Sequence, residues 1–316
     1  MWDKNILNRL YLCVKESVPQ SLITCLWLLK IMLPISLVVR LLDYYGVIAH
    51  LSNYMQPLFE FVGLRGNLAI VFVTSFFVPL YGTIAVMASL TMTLREATIL
   101  TLMCLIAHSL PVECAVTKRT GSPFFKMVSL RIGMAFVAAI VLNLVLPHSD
   151  EIFKLSQEIV AYSSIGDVFY QWGIASVELT IIVVTIVTLL IILQRTLLEF
   201  NLIDKLSKPL NPLMRIFGLP EKASFLWIVG NVVGLGYGGA IMIGMVKEGK
   251  ISYSEANTVN WHLAISHSLL EDTILFVLIG INIWTIIITR VGLAIALLWM
   301  RKLFYYFRNR ASLVHT

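Results

Sequence analysis

Eight apolar stretches, near 20–42, 66–92, 95–117, 127–147, 173–195, 223–247, 255–278 and 285–300, limit what this chain can become. A helix rising about 1.5 Å per residue needs about 20 apolar residues to cross a bilayer core. Of 316 residues, 58% are hydrophobic and only 13% charged. A water-soluble domain needs roughly a quarter charged residues to coat itself. The sequence therefore predicts an all-α polytopic membrane protein. It excludes a cytosolic enzyme, a nucleic-acid reader and a secreted disulfide scaffold. Cys13, Cys25, Cys104 and Cys114 show no CxxC spacing and read as packing residues. The N-terminus, MWDKNILNRLYLCVKESVPQ, lacks a compact apolar core with a cleavage site, so it is expected to stay on the chain.

The net charge of +6 is distributed unevenly. Residues 118–131 carry Lys118, Arg119, Lys126 and Arg131, residues 195–222 carry five cations, and the tail carries Arg301, Lys302, Arg308 and Arg310. Basic loops collect on the cytoplasmic side, so these three are expected inside, together with both termini. The segment 148–171 holds Asp150, Glu151, Glu158 and Asp167 against Lys154, and 279–285 is uncharged; both are expected outside.

An internal repeat runs through the chain. MQPLFEFVGLRGNLAIVF at 55–72 aligns with LNPLMRIFGLPEKASFLW at 210–227, an offset of 155. Beyond an insertion near Lys247–Lys250 the offset is 159, pairing His108-Ser109-Leu110 with His267-Ser268-Leu269, Glu113 with Asp272, and Arg131 with Arg290. The sequence thus predicts one membrane domain, 1–316, with repeat 1 at 20–147, an external connector at 148–172 and repeat 2 at 173–302. Equivalent loops carry opposite charge character, which makes the repeats inverted and requires an odd number of crossings in each. One of the four apolar segments per repeat must then be re-entrant. Pro79-Leu80-Tyr81-Gly82 interrupts 66–92, and Gly230, Gly234, Gly236, Gly238 and Gly239 interrupt 223–247. The expected architecture is six spanning helices plus two re-entrant helical hairpins, their tips facing a wet midplane cavity.

Ionisable groups inside spans cost about 2.5–3.5 kcal/mol each and mark pathways. HSLPVE at 108–113 and HSLLED at 267–272 place His108, Ser109, Glu113, His267, Ser268, Glu271 and Asp272 at depth. Pro111 is expected to break the first of these helices, whereas the second has no Pro or Gly to do so. One reading makes these residues a central polar site; the other pairs them across the repeat axis as structural glue. Histidine beside carboxylate suits a coupling proton. His108, Glu113, His267 and Asp272 are also candidate ligands for a divalent metal, although a spacing of five puts His and acid on different faces of an unbroken helix. Arg131 and Arg290 are read as helix-end anchors or partners of an acid. Lys30 and Glu178 allow an ion pair or snorkelling, and His262 reads as packing.

The pair HSLPVE and HSLLEDT, the Tyr-Gly elements at 81–82 and 237–238 and the Gly-Leu preceding each hairpin resemble the bacterial nucleoside-recognition, or GATE-domain, membrane proteins. That family is taken to be related to the core of concentrative nucleoside transporters and, more distantly, to ferrous-iron permease gates. The resemblance implies a substrate site at the hairpin tips and broken helices, with Tyr81, Gly82, Tyr237 and Gly238 contributing. The amide- and acid-bearing hairpin motifs of the concentrative transporters are absent from FFVPLYGTIA and VVGLGYGGA.

The expected function is an alternating-access secondary carrier for a small polar solute such as a nucleoside or nucleobase. The alternatives are a divalent-metal carrier or a non-transporting scaffold subunit. No enzymatic activity is expected, since no GxSxG or phosphate-binding loop occurs and adjacent Ser and His diverge on a helix. No cofactor is expected beyond a coupling proton or cation. The expected partners are a small-molecule or ion substrate and the lipid bilayer of a bacterial-type inner membrane. No nucleic-acid partner is expected, and homo-oligomerisation stays open.

Overall fold

The structure is a computed structural model that describes residues 4–155, 163–220 and 223–314, all built from helices and their connections apart from one isolated bridge, Thr93 to Ile152. The order is α1 (Lys4–Tyr44), α2 (Val47–Phe61), α3 (Ala69–Ser75), α4 (Leu80–Met87), α5 (Leu94–Ala107), α6 (Leu110–Lys118) and α7 (Phe124–Val145). There follow α8 (Ile165–Glu199), α9 (Leu202–Ile216), α10 (Ser224–Val232), α11 (Leu235–Lys247), α12 (Tyr253–Ser266), α13 (Leu269–Leu278) and α14 (Ile283–Val314).

Both offsets of the sequence repeat recur as helix starts. Val47 and Leu202, and Leu80 and Leu235, open helices at the first offset, while Leu94 and Tyr253, Leu110 and Leu269, and Phe124 and Ile283 do so at the second. The local chemistry repeats with them. Thr93 caps α5 in a reciprocal box with Glu96, and Ser252 caps α12 with Glu255. Each pair satisfies backbone N–H groups that a helix start leaves open. Gly63 and Gly218, both at φ 76°, end α2 and α9. The following Leu64 and Leu219 N–H groups return to the carbonyls of Phe59 and Met214 at 2.9 and 2.8 Å.

Among the described residues, five helical segments are long and apolar enough to cross a membrane: Ile6–Tyr44, Leu94–Lys118, Phe124–Val145, Ile165–Glu199 and Ile283–Arg308. They correspond to five of the six expected spans. The sixth, 255–278, is divided between α12 and α13 and carries Asn257, Asn260, His262, His267, Glu271 and Asp272. The chain is a polytopic helical membrane protein. Limbs of 7, 8, 9 and 13 residues in α3, α4, α10 and α11 reach only about 10–20 Å, short of the roughly 30 Å core.

Two details differ from expectation. The first hairpin reverses at Phe76–Pro79, so Tyr81 and Gly82 fall in the first turn of α4, with Pro79 at its N-cap (φ −61°, ψ 158°). Proline's fixed φ and missing donor suit a helix start. In the second hairpin only Gly234, at φ 90°, makes the turn. Gly238 instead lets the limbs touch, since a Cβ there would lie 3.1 Å from Gly230 Cα. The side chain of Tyr237 lies outside the described residues.

The chain packs as two compact units. One holds residues 1–109, 135–202 and 274–282, the other 110–134, 203–273 and 283–316, so each draws on both repeats. In the first unit α1 and α8 run antiparallel. Arg9 pairs with Glu199 and Glu16 with Arg195, both at 2.8 Å, while Trp172 Nε1 donates to the Leu33 carbonyl at 3.2 Å. Lys30 and Glu178 are exposed and form no ion pair with each other. In the second unit Met214, Leu226, Met242, Leu263 and Leu298 form the buried core on which α10, α11, α12 and α14 close.

Thr93→Ala and Ser252→Ala should each lower stability by about 1 kcal/mol, read by thermal unfolding in detergent. An effect at only one of the two positions would mean that the equivalent caps do not carry equivalent load.

Candidate functional site

Both polar motifs sit at helix breaks of the same construction. His108 ends α5 in extended conformation (φ −76°, ψ 161°) and Ser109 follows at φ 47°. His267 ends α12 (φ −56°, ψ 159°) and Ser268 follows at φ 50°. Pro111 is therefore not the breaker. It occupies the second position of α6, where a missing N–H costs nothing, and the second helix breaks equally well with leucine there.

Each left-handed serine is held by a hairpin. Ser109 N–H donates to the Ser75 carbonyl and Ser268 N–H to the Gly230 carbonyl, both at 2.8 Å. Ser109 Oγ donates to the Val78 carbonyl at 3.1 Å. A Cβ on Gly234 would lie 2.7 Å from Ser268 Oγ, so glycine there makes room for that hydroxyl.

In the second unit a charged cluster surrounds the α12–α13 break. Arg290 is 0% exposed; its Nε donates to the Ile265 carbonyl at 2.8 Å, its Nη2 to the His267 carbonyl, and its Nη1 to Asp272 Oδ2 at 3.1 Å. Arg131, 2% exposed, pairs through Nη1 with Glu113 Oε2. The two arginines are thus partners of acids, not helix-end anchors, and each lies two turns inside its helix. The same Glu113 oxygen lies 3.2 Å from His267 Nε2. That contact joins the motifs of the two repeats.

The tautomer of His267 follows from its other nitrogen. Nδ1 lies 2.7 Å from the Leu263 carbonyl, which can only accept, so Nδ1 carries a hydrogen. A neutral ring would then turn the Nε2 lone pair toward a carboxylate oxygen. One proton between Nε2 and Glu113 converts that repulsion into a charge-assisted hydrogen bond. In the first unit His108 Nδ1 likewise faces the Cys104 carbonyl at 3.1 Å. Glu271 is partly buried in the first turn of α13, while Tyr81 and Gly82 sit in α4 of the first unit.

Sequence reasoning missed the polar seam that brings α6 to α12. Asn260, 1% exposed, donates to Thr120 Oγ1 at 2.8 Å and Ser122 Oγ at 2.9 Å, and Ser122 donates to Asn257 Oδ1 at 2.7 Å. The signal was available: asparagines three apart in a segment read as membrane-spanning need partners. His262 keeps its packing role, stacked on Phe217 with ring centroids 5.6 Å apart and accepting from Trp227 Nε1 at 3.2 Å.

Arg290→Ala strands two carbonyls and a buried carboxylate and should cost about 3–5 kcal/mol of stability. Asp272→Asn, which still accepts from the guanidinium, should cost less; equal losses in thermal unfolding would contradict the arrangement.

Residues 25–124 match the family model described as Gate: Nucleoside recognition, which spans the later part of α1 through α6. The chain is 29% identical over 275 residues to the uncharacterized membrane protein YvoD of Bacillus subtilis (strain 168), covering 85% of this chain and 87% of that one. No solved structure matches it significantly. The chain is accordingly a polytopic membrane protein whose residues 25–124 are similar to the Gate, or nucleoside-recognition, domain, and Tyr81-Gly82 and His108-Ser109 lie within that match.

Proposed function

We propose that this protein is a proton-coupled secondary carrier for a small polar solute of the nucleoside or nucleobase class, working by alternating access in a bacterial-type inner membrane. The observation that carries the reading is the Glu113–His267 contact, with Nδ1 committed to a carbonyl and Nε2 3.2 Å from the carboxylate. Imidazole is the side chain whose ordinary protonation change falls near neutral pH, which suits it to carry a coupling proton. With His267 neutral, Arg131 and Arg290 balance Glu113 and Asp272; binding a proton leaves the cluster at +1. That unbalanced charge gives a buried site a reason to change conformation or to take up a polar cargo.

The inverted arrangement rests on α1 and α8. The sequence repeat makes them equivalents, and they pack antiparallel in one unit. That packing and the loop charges support repeats 20–147 and 173–302 of opposite orientation, with six spans, two re-entrant hairpins and cytoplasmic termini. The Gate match favours a nucleoside-like cargo. Ser109, Ser268, Gly82 and Gly238 at the breaks and hairpins are assigned to its binding, and Asp272 to holding Arg290. A divalent cation is the second reading, because Glu113 and His267 each offer it a ligand atom. Arg131 on the same carboxylate oxygen stands against it.

Proteoliposomes with an imposed pH gradient test the carrier directly. Uptake of at least one member of a panel of nucleosides and bases should require the gradient, and Glu113→Gln or His267→Gln should abolish accumulation while leaving a folded protein. Gradient-independent uptake by the wild type would exclude proton coupling, whereas Mn²⁺ or Zn²⁺ uptake without any nucleoside uptake would establish the second reading. The topology has its own test, clean because the four native cysteines are buried. Arg119→Cys and Asn282→Cys should react with impermeant maleimide from opposite sides of the membrane; labelling from one side would dismiss the inversion.

A further inference from the structure

Glu178 lies well inside the apolar helix Ile165–Glu199, where a carboxylate is expensive unless it is paired or faces a polar space. It makes no ion pair or hydrogen bond with any described residue. What it lines is a cavity of about 220 Å³ within the first unit, walled by α1, α4, α8 and the connector. Arg40 and Lys154 line the same cavity. Arg40 is 4% exposed, whereas Lys154 is exposed and, like Glu178, is unpaired among the described residues.

Lys154 and Glu178, opposite charges that share one small cavity without meeting, leave a gap for a molecule that bears both. The other lining groups are consistent with a ligand site. Trp172 Nε1 is committed to the Leu33 carbonyl and to Ser36 Oγ at 3.2 and 3.1 Å, which fixes the indole and leaves its ring for contact. Ser176, 9% exposed, has a buried hydroxyl with no hydrogen-bond partner among the described residues. The volume is below the roughly 300 Å³ at which drug-sized pockets begin, so the occupant is small.

We propose that this cavity binds a small zwitterion, its oxyanion held by Arg40 and Lys154 and its ammonium by Glu178, with the Trp172 ring adding a cation–π contact. The oxyanion-plus-ammonium chemistry is shared by a free α-amino acid and by a phosphoethanolamine lipid headgroup. The site is separate from the Glu113–His267 cluster, and the proposal does not depend on the carrier reading.

The test uses the full chain purified in phosphoethanolamine-free detergent, with unfolding temperature recorded against L-serine, phosphoethanolamine, N-acetylserine and serinamide. At least one of the two zwitterions should raise the unfolding temperature by several degrees, and the singly charged analogues should not. A response to L-serine alone assigns the free amino acid, a response to phosphoethanolamine alone the headgroup, and a response to both the shared chemistry. Glu178→Gln and Lys154→Gln should each weaken the response at least tenfold in concentration, Lys154→Arg should retain it, and Lys30→Gln, outside the cavity, should leave it unchanged. No response to either zwitterion, an equal response to the analogues, or an undiminished response in well-folded Glu178→Gln would overturn the proposal.

Discussion

A helix broken inside lipid exposes carbonyls that water cannot reach, and at the α12–α13 break Arg290 supplies what is missing. One guanidinium donates to two carbonyls at the end of α12 and to Asp272 in the first turn of α13. It places positive charge at the negative end of one helix dipole, while the carboxylate sits at the positive end of the next. Arginine's planar fork does this with fixed geometry, which a lysine ammonium would not. The polar site depends on this contact, because His267 can face Glu113 only while the break keeps its shape.

The repeats use the same parts with one methylene of difference. Glu113 pairs with Arg131 as Asp272 pairs with Arg290, each acid eighteen residues before its arginine. Asp272 is held at the break by Arg290, whereas the longer side chain of Glu113 reaches both Arg131 and His267. A duplicated structural pair has thereby become asymmetric. One copy holds the fold, and the other holds a carboxylate against an imidazole whose second nitrogen is already committed. Proton chemistry needs only the second.

Much of this was legible in the residues. Apolar run length located five spans, and the two offsets located the starts of five equivalent helix pairs, because a repeat preserves caps and glycine turns as well as apolar faces. The Thr93–Glu96 and Ser252–Glu255 boxes and the Gly63 and Gly218 turns are readable from sequence alone. The position of the breaks was not. Proline draws attention as a helix breaker, yet the break is made by a histidine and a left-handed serine, a conformation that side-chain identity does not announce. For Arg131 and Arg290 pairing with an acid was one of two roles read from the sequence, and the choice was open because a buried cation deep in an apolar run and a snorkelling one at its end look alike until the partners are known. Asn257 and Asn260 belong to a tertiary seam, and no local pattern encodes which loop will meet them.

The strained serines connect this architecture to movement. A non-glycine residue in the left-handed region costs on the order of 1 kcal/mol. At Ser109 and Ser268 that cost is met by an N–H bond to a hairpin carbonyl, itself contributing about 1 kcal/mol. On the carrier reading, a hairpin that withdraws from Ser268 loses the bond but lets the serine relax, so the two terms nearly cancel. Engaged and withdrawn hairpins then lie close in energy, and a change of one proton at Glu113–His267 is large enough to choose between them. A glycine at Ser268 would remove the strain and leave the hydrogen bond, biasing the hairpin toward its engaged position, whereas at Ser109 it would also delete the hydroxyl bond to the Val78 carbonyl. On that reading, serine at the α12–α13 break is what keeps the two positions balanced.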